Sequence, residues 1–139
     1  MEPGVAYTKL DPDGEDRFQR LRQELGVSTF GLNLLRLRPG ERSRIHRHLH
    51  QEEVYVVLQG TLTLYVEGEP HELVHGELAR VAPEVRRQLV NRHPNVLAIL
   101  AVGASAGHEG RDGRAYTSWE ETGEGRPPQA VPLPEDLPL

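Results

Sequence analysis

The spacing of apolar residues predicts one helix near the start of the chain. Residues 14–26 place Phe18, Leu21 and Leu25 at intervals of three and four, with acidic residues early in the segment and Gly26 at its end. Apolar positions at these intervals lie on one face of an α-helix, and a glycine after the last of them is a common stop signal. The segment is therefore predicted to form one short amphipathic helix.

From residue 28 the period of the pattern changes to two, which is the period of a β-strand. Turn signals made of proline, glycine and polar residues separate the alternating segments. Short strands at this spacing imply an antiparallel barrel or sandwich, so the fold class is predicted to be all-β. Strands are predicted at residues 28–38, 43–48, 53–58, 61–66, 71–74, 78–81, 86–91 and 96–102.

Three segments follow from this pattern: a helical extension at residues 1–27, a barrel at 28–103 and a proline-rich tail at 104–139. Proline removes hydrogen-bond donors from a strand, so the tail is not expected to supply a central strand. We expect it to be extended, with Tyr116 and Trp119 available to pin it to the barrel or to a second subunit.

Composition narrows the chemistry that this chain can support. The 139 residues suit one domain, and the absence of cysteine excludes disulfides and thiolate metal sites. The net charge of −5 with scattered basic residues argues against a nucleic-acid partner. No apolar segment has the length of a membrane helix or the form of a signal peptide, so we expect a cytoplasmic protein with no membrane partner.

Three histidines stand at alternate positions in residues 46–50. On a strand His46 and His48 point to the same side, and Glu53, at the start of the next strand, can turn into the same cavity. Two imidazoles and one carboxylate form a set suited to Fe, Mn, Ni or Zn, with other positions open for water or substrate. His50 is a further candidate ligand, although a surface position in a turn is favoured.

Residues 40–60 resemble the first motif of the cupin superfamily, Gly-x5-His-x-His-x4-Glu-x6-Gly, at all of its fixed positions. The second motif, Gly-x5-Pro-x-Gly-x2-His-x3-Asn, is matched at Gly76 and Asn91 only, and Arg87 stands where the family has its histidine. The resemblance is to small single-domain cupins of the conserved-barrel type. It implies a jelly-roll barrel, or double-stranded β-helix, with a metal inside held by four ligands, three of which map to His46, His48 and Glu53.

The substitution at Arg87 leaves two alternatives open, because a guanidinium has no lone pair to give a metal. In the first, His46, His48 and Glu53 hold a divalent metal, and Arg87 swings aside to anchor a small anionic substrate. In the second, Arg87 forms a buried ion pair with Glu53, and the barrel is a metal-free binding or sensing module.

The resemblance implies reactions such as dioxygenation, isomerisation or decarboxylation, without selecting among them or making an enzyme certain. Arg87 and Tyr55 are the candidate catalytic residues, although packing with a satisfied hydroxyl is the favoured interpretation of Tyr55. In the tail, His108 and Asp112 are weaker candidates. We expect a homodimer, since small cupins commonly pair.

Overall fold

The computed structural model describes residues 4–104 and 112–139, in which ten strands and one α-helix follow in chain order. A short 3-10 helix at Pro128–Ala130 lies in the tail. None of the helices in these two ranges is long and apolar enough to cross a membrane. The elements are β1 (Phe18–Gln19), α1 (Leu21–Leu25), β2 (Gly31–Leu37), β3 (Ile45–His48), β4 (Glu52–Gln59), β5 (Thr61–Val66), β6 (Glu69–Val74), β7 (Leu78–Val81), β8 (Arg87–Val90), β9 (Leu97–Ala104) and β10 (Gly113–Tyr116).

The strands form two antiparallel five-stranded sheets. The first has the order β1-β2-β9-β4-β7 and the second the order β10-β3-β8-β5-β6. Each of the eight predicted strands is present with ends shifted by at most a few residues, and the all-β prediction is confirmed. The alternation of apolar and polar positions was informative because each sheet has one face toward the interior.

The main core lies between the two sheets. Along a strand, residues that point into this core alternate with residues that point to the opposite face. In β2, for example, Leu35 and Leu37 point into this core, whereas Leu34 points to the opposite face. The core consists of Leu35, Leu37, Tyr55, Val57, Leu62, Leu64, Leu73, Val81, Leu89, Leu97 and Ile99.

The helix α1 covers the outer face of the first sheet. Leu21 is 2% exposed and packs with Leu34 and Ala98 in a second apolar cluster. The helix is shorter than predicted, because Phe18 and its neighbour form a short strand against β2 instead of a first helical turn. Phe18, the first residue of the supposed apolar face, is 50% exposed.

The described part of the tail packs on the second sheet, and β10 is an edge strand that pairs with β3. The guanidinium of Arg86 stacks over the rings of Tyr116 and Trp119, at 5.3 and 5.8 Å from the ring centroids. These two aromatic residues thus pin the tail to the barrel, which was one of the two roles expected for them.

Candidate metal centre

Two strands from opposite sheets bring His46, His48 and Glu53 together inside the barrel. The histidines stand two residues apart on β3, and Glu53 is the second residue of β4. One donor atom from each residue lies within 4.8 Å of the others. The Nε2 atoms of His46 and His48 lie 3.9 and 3.1 Å from Glu53 Oε1. The predicted trio therefore converges on one point.

The other ring nitrogen of each histidine is held by an acceptor. His46 Nδ1 lies 3.0 Å from the carbonyl oxygen of Arg44, and His48 Nδ1 lies 2.7 Å from Asp112 Oδ1. A carbonyl or a carboxylate can only accept, so Nδ1 carries the proton in both rings. The neutral form of each ring then presents its Nε2 lone pair to the shared point, as metal-ligating histidines in proteins typically do.

Asp112, which directly precedes β10, supports the turn after β3 as well as His48. Its Oδ2 accepts hydrogen bonds from the backbone N–H groups of His50 and Gln51, both at 2.8 Å, and Gln51 Nε2 donates to Oδ1 at 2.7 Å. Burial acts to raise the pKa of Asp112, but the hydrogen bonds from His48 and from these backbone groups outweigh it and lower the pKa to about 2. Asp112 is therefore an ionised carboxylate that fixes one of the potential ligands.

Arg87 lies beside Glu53 and has no exposed surface. It pairs with His46 across β3 and β8, and directly opposite residues of antiparallel strands point to the same face, so both enter the interior. Its Nη2 donates to Glu53 Oε1 at 2.9 Å, its Nε to Tyr55 Oη at 3.2 Å, and its Nη1 to the Val85 carbonyl at 2.6 Å. This placement does not fit an arginine that swings aside to anchor a substrate.

Tyr55 completes the support of Glu53. Its hydroxyl donates to Glu53 Oε1 at 2.6 Å while it accepts from Arg87, and the residue is 2% exposed. Burial, followed by the charge of Glu53, raises the pKa of Tyr55 well above its ordinary value, so it stays a neutral donor. This is the packing role with a satisfied hydroxyl, and Tyr55 is not among the residues that line the cavity described below.

Two opposing effects set the protonation of the site. Burial acts to raise the pKa of Glu53, but hydrogen bonds and charge from His46 and His48 hold it well below its ordinary value. Burial acts to lower the pKa of His48, but Glu53 and Asp112 together raise it above its ordinary value. Before any metal enters, the negative charge of Glu53 is thus balanced by Arg87 and favours the protonated form of His48.

Two of the three potential ligands, His48 and Glu53, line a cavity of about 350 Å³. Small residues contribute to this lining. Among them, Gly103 pairs directly with Gly31 on β2 and with Glu53 on β4. The lining consists of Arg20, Arg22, Gln23, Gly31, Asn33, His48, Gln51, Glu53, Ala101 and Gly103. A cavity of this size falls in the range of small-molecule sites.

Other candidates lie outside this arrangement. His50 is in an exposed turn, and the cluster of potential ligands does not include it. Asn91 is buried and bonds the Leu37 and Asn95 carbonyls, as expected of a structural turn residue. His108 lies outside the described residues. Asp112 was only a weak candidate from the sequence, and Arg20 and Arg22 were not candidates, since no local pattern connects these residues to β3.

Comparison with known families matches residues 33–103, just over half of the chain, to the cupin domain. The chain belongs to the cupin family. The matched range contains the three potential ligands, Tyr55 and Arg87, but neither α1 nor the tail that carries Asp112. No curated protein matches the sequence.

Solved cupin structures share the fold. A sugar phosphate isomerase of the cupin superfamily from Silicibacter pomeroyi is 36% identical with a TM-score of 0.60, over 64% of this chain and 59% of that chain. A cupin protein from Bacteroides fragilis is 22% identical with a TM-score of 0.67, over 89% of this chain and 99% of that chain. A cupin 2 conserved barrel domain protein from Salinispora arenicola is 25% identical with a TM-score of 0.53, over 57% and 66% of the two chains.

The donor set of this cupin fits a divalent cation. Neighbouring ligands about 2.1 Å from a metal are roughly 3.0–3.4 Å apart. His48 Nε2 and Glu53 Oε1 already have this spacing at 3.1 Å, whereas His46 Nε2 lies 3.9 Å from the same oxygen and would have to move closer. Glu53 Oε2 receives no hydrogen bond from the part of the chain that the structure describes, so it is available to a cation. Arg87 is the feature that opposes the fit, because its positive charge lies next to the carboxylate.

Proposed function

We propose that this cupin is a divalent-metal-dependent enzyme acting on a small anionic molecule, with isomerisation as its reaction. The observation that carries the proposal is the convergence of His46, His48 and Glu53 within 4.8 Å, with both imidazoles held at Nδ1 so that Nε2 is presented. Similarity over part of the chain to a protein described as a sugar phosphate isomerase supports the choice of reaction.

The residues of this chain have distinct roles in such a site. His46, His48 and Glu53 hold the cation, which when bound acts as a Lewis acid that polarises a substrate oxygen. Asp112 and the Arg44 carbonyl orient the two rings. Tyr55 and Arg87 orient the carboxylate from the side away from the cavity.

The test begins with metal content. Untagged protein, never exposed to chelator, is analysed by plasma mass spectrometry as purified and after incubation with iron, manganese, nickel and zinc salts. We expect about one equivalent per chain, lost in His46→Ala and retained in His71→Ala, which removes an exposed histidine outside the site. The metal-loaded protein is then incubated in D₂O with aldose and ketose phosphates and with small hydroxy acids, and isomer exchange is followed by NMR.

One observation favours a second function. The Arg87 guanidinium and the Glu53 carboxylate form an ion pair at 2.9 Å, which balances the charge of the site without a metal. In that case the barrel is a metal-free binding or sensing module. Absence of metal after all four incubations overturns the enzyme proposal and leaves this module. One equivalent of metal without exchange on any substrate of the panel overturns the isomerase and leaves a metal site.

A further inference from the structure

Two arginines from outside the matched cupin segment line the same cavity as two of the potential metal ligands, His48 and Glu53. Arg20 and Arg22 flank the first residue of α1 and share the cavity lining with His48 and Glu53. Their backbone is anchored because Leu21, between them, is 2% exposed and packs on the outer face of the first sheet. The barrel supplies the potential donor atoms for a metal, whereas the N-terminal extension adds two positive charges to the lining of the same cavity.

The two guanidinium groups have capacity left for a ligand. Arg20 is exposed and makes no side-chain hydrogen bond or ion pair with the residues that the structure describes. Arg22 donates from Nε to the Val27 carbonyl at 3.0 Å and from Nη2 to the Ser28 carbonyl at 3.3 Å. These bonds hold the guanidinium in place, and its Nη1 has no acceptor among the residues that the structure describes. Arg20 also borders a neighbouring cavity lined by Asp11, Asp16 and Glu24, with no ion pair to any of them among the described residues.

The charges of the cavity favour an anion. Its ionised lining residues are Arg20, Arg22 and Glu53, and the charge of Glu53 is already balanced by Arg87. Gln23, Asn33 and Gln51 are amides, which add no charge. Two uncompensated guanidinium groups match the two negative charges of a phosphate monoester better than the single charge of a carboxylate. The small residues Gly31, Ala101 and Gly103 leave room for a compact molecule between the arginines and the ligands.

We propose that Arg20 and Arg22 bind the phosphate group of a small phosphorylated substrate whose other end reaches the His46, His48 and Glu53 site. The proposal rests on the proposed function for the identity of that second end. It transfers the role of anion anchor from Arg87, which is fully buried, to two residues that face the cavity. Specificity for the phosphate thereby comes from the N-terminal extension instead of from the second cupin motif.

The test measures the binding of methyl phosphate and of acetate to the full chain, loaded with zinc, by NMR titration at fixed ionic strength. Arg20→Gln is the main variant, because the Arg20 guanidinium has no described contact within the protein that the substitution would remove. The double variant Arg20→Gln/Arg22→Gln follows, with thermal unfolding as a check on its structure. Arg92→Gln is the matched control, since Arg92 bonds the Tyr65 hydroxyl on the other sheet and the change in net charge is the same.

We expect methyl phosphate to bind at least about tenfold more weakly to Arg20→Gln, and more weakly still to the double variant, with zinc content unchanged and Arg92→Gln unaffected. Equal binding of methyl phosphate to wild type and double variant overturns the proposal, because the anion then binds elsewhere. Acetate binding as tight as methyl phosphate overturns the preference for phosphate.

Failure of the proposed function is distinguishable from failure of this proposal. If the wild-type protein binds no zinc, the titration is repeated on metal-free protein, where the arginines remain in place. Methyl phosphate binding that still depends on Arg20 and Arg22 then supports the anion site although the metal site has failed. Binding that is independent of both arginines in the metal-free protein overturns the anion site as well.

Discussion

Replacing Asp112 with asparagine tests whether the tail controls the potential metal ligand His48. The carboxylate accepts at both oxygens: Oδ2 from the backbone N–H groups of His50 and Gln51, and Oδ1 from His48 Nδ1 and Gln51 Nε2. An asparagine has only one acceptor oxygen. Because the backbone N–H groups can only donate, that oxygen must face them, and the new NH₂ group must face both His48 Nδ1 and the side-chain amide of Gln51.

This arrangement forces a change in the imidazole. An NH₂ group opposite His48 Nδ1 is compatible only with an unprotonated Nδ1, so the ring proton moves to Nε2. Nε2–H can then donate to Glu53 Oε1, which lies 3.1 Å away, so the alternative tautomer has a partner. The lone pair that a metal needs is lost from the shared point, and we expect metal affinity to fall by about 10- to 100-fold, the usual effect of removing such a partner.

The variant should also unfold more easily. Two hydrogen bonds to a charged acceptor become bonds to a neutral group, which costs roughly 2–3 kcal/mol and lowers the melting temperature by about 10 °C in a chain of this size. Metal affinity is measured by competition with a chromophoric chelator, stability by calorimetry, and the tautomer by long-range ¹H–¹⁵N correlation of the ring nitrogens. Asp136→Asn removes an exposed carboxylate of the tail and is the matched control.

The reasoning is refuted if Asp112→Asn keeps both the wild-type metal affinity and a proton on His48 Nδ1. A loss of stability alone does not support it, because any change at a buried carboxylate can destabilise the fold. The tautomer measurement is independent of metal, so it remains informative if the protein binds none.

Three further predictions concern the carboxylate and its surroundings. A Cβ on Gly103 would lie 3.0 Å from Gln51 Oε1 and 3.3 Å from Glu53 Cγ, so Gly103→Ala should displace the carboxylate and weaken metal binding severalfold, as measured by chelator competition. Gly31→Ala is the control and should leave metal binding unchanged, because its Cβ would meet nothing nearer than 3.5 Å. Glu53→Gln should abolish metal binding and, by leaving the buried Arg87 without its counter-ion, lower the free energy of unfolding by about 3–5 kcal/mol in calorimetry; unchanged stability contradicts the ion pair. Arg87→His should lower the melting temperature of the metal-free protein, because it removes the counter-ion of Glu53, and should enlarge the rise in melting temperature caused by added zinc, because it supplies an imidazole opposite His46. A smaller zinc-induced rise in melting temperature than in wild type contradicts this.

The fold could be predicted from local patterns because each strand has one face in the core. The helix boundary could not, since Phe18 has helical spacing to Leu21 but lies opposite Leu35 in a strand pair. Pairing with a distant strand overrode the local period at that point. The sequence contains the residues on both sides of this pair but no signal that they meet.

The same distinction applies to the site. Alternation on β3 was sufficient to place His46 and His48 on one side, because a strand fixes side-chain direction over two residues. The partner of His48 stands 64 positions further along the chain, and the arginines of the cavity precede the barrel altogether. Contacts of this range depend on how the tail and the helix pack, so residue spacing alone could not predict them.

Arg87 stands where the second cupin motif has its histidine, and it balances the charge of Glu53 beside the three potential ligands. A carboxylate that is buried without a metal needs a positive partner, and the guanidinium supplies it through Nη2 while its Nη1 donates to the backbone carbonyls of Ala82, Pro83 and Val85. The same charge reduces the attraction of the site for a divalent cation. Metal binding therefore has to compete with an arrangement that is already satisfied, so we expect weaker and more readily reversible loading than in a four-ligand site. If Arg20 and Arg22 hold an anion next to a bound cation, as we propose, the anion offsets that loss, and we then expect metal and substrate each to strengthen the binding of the other.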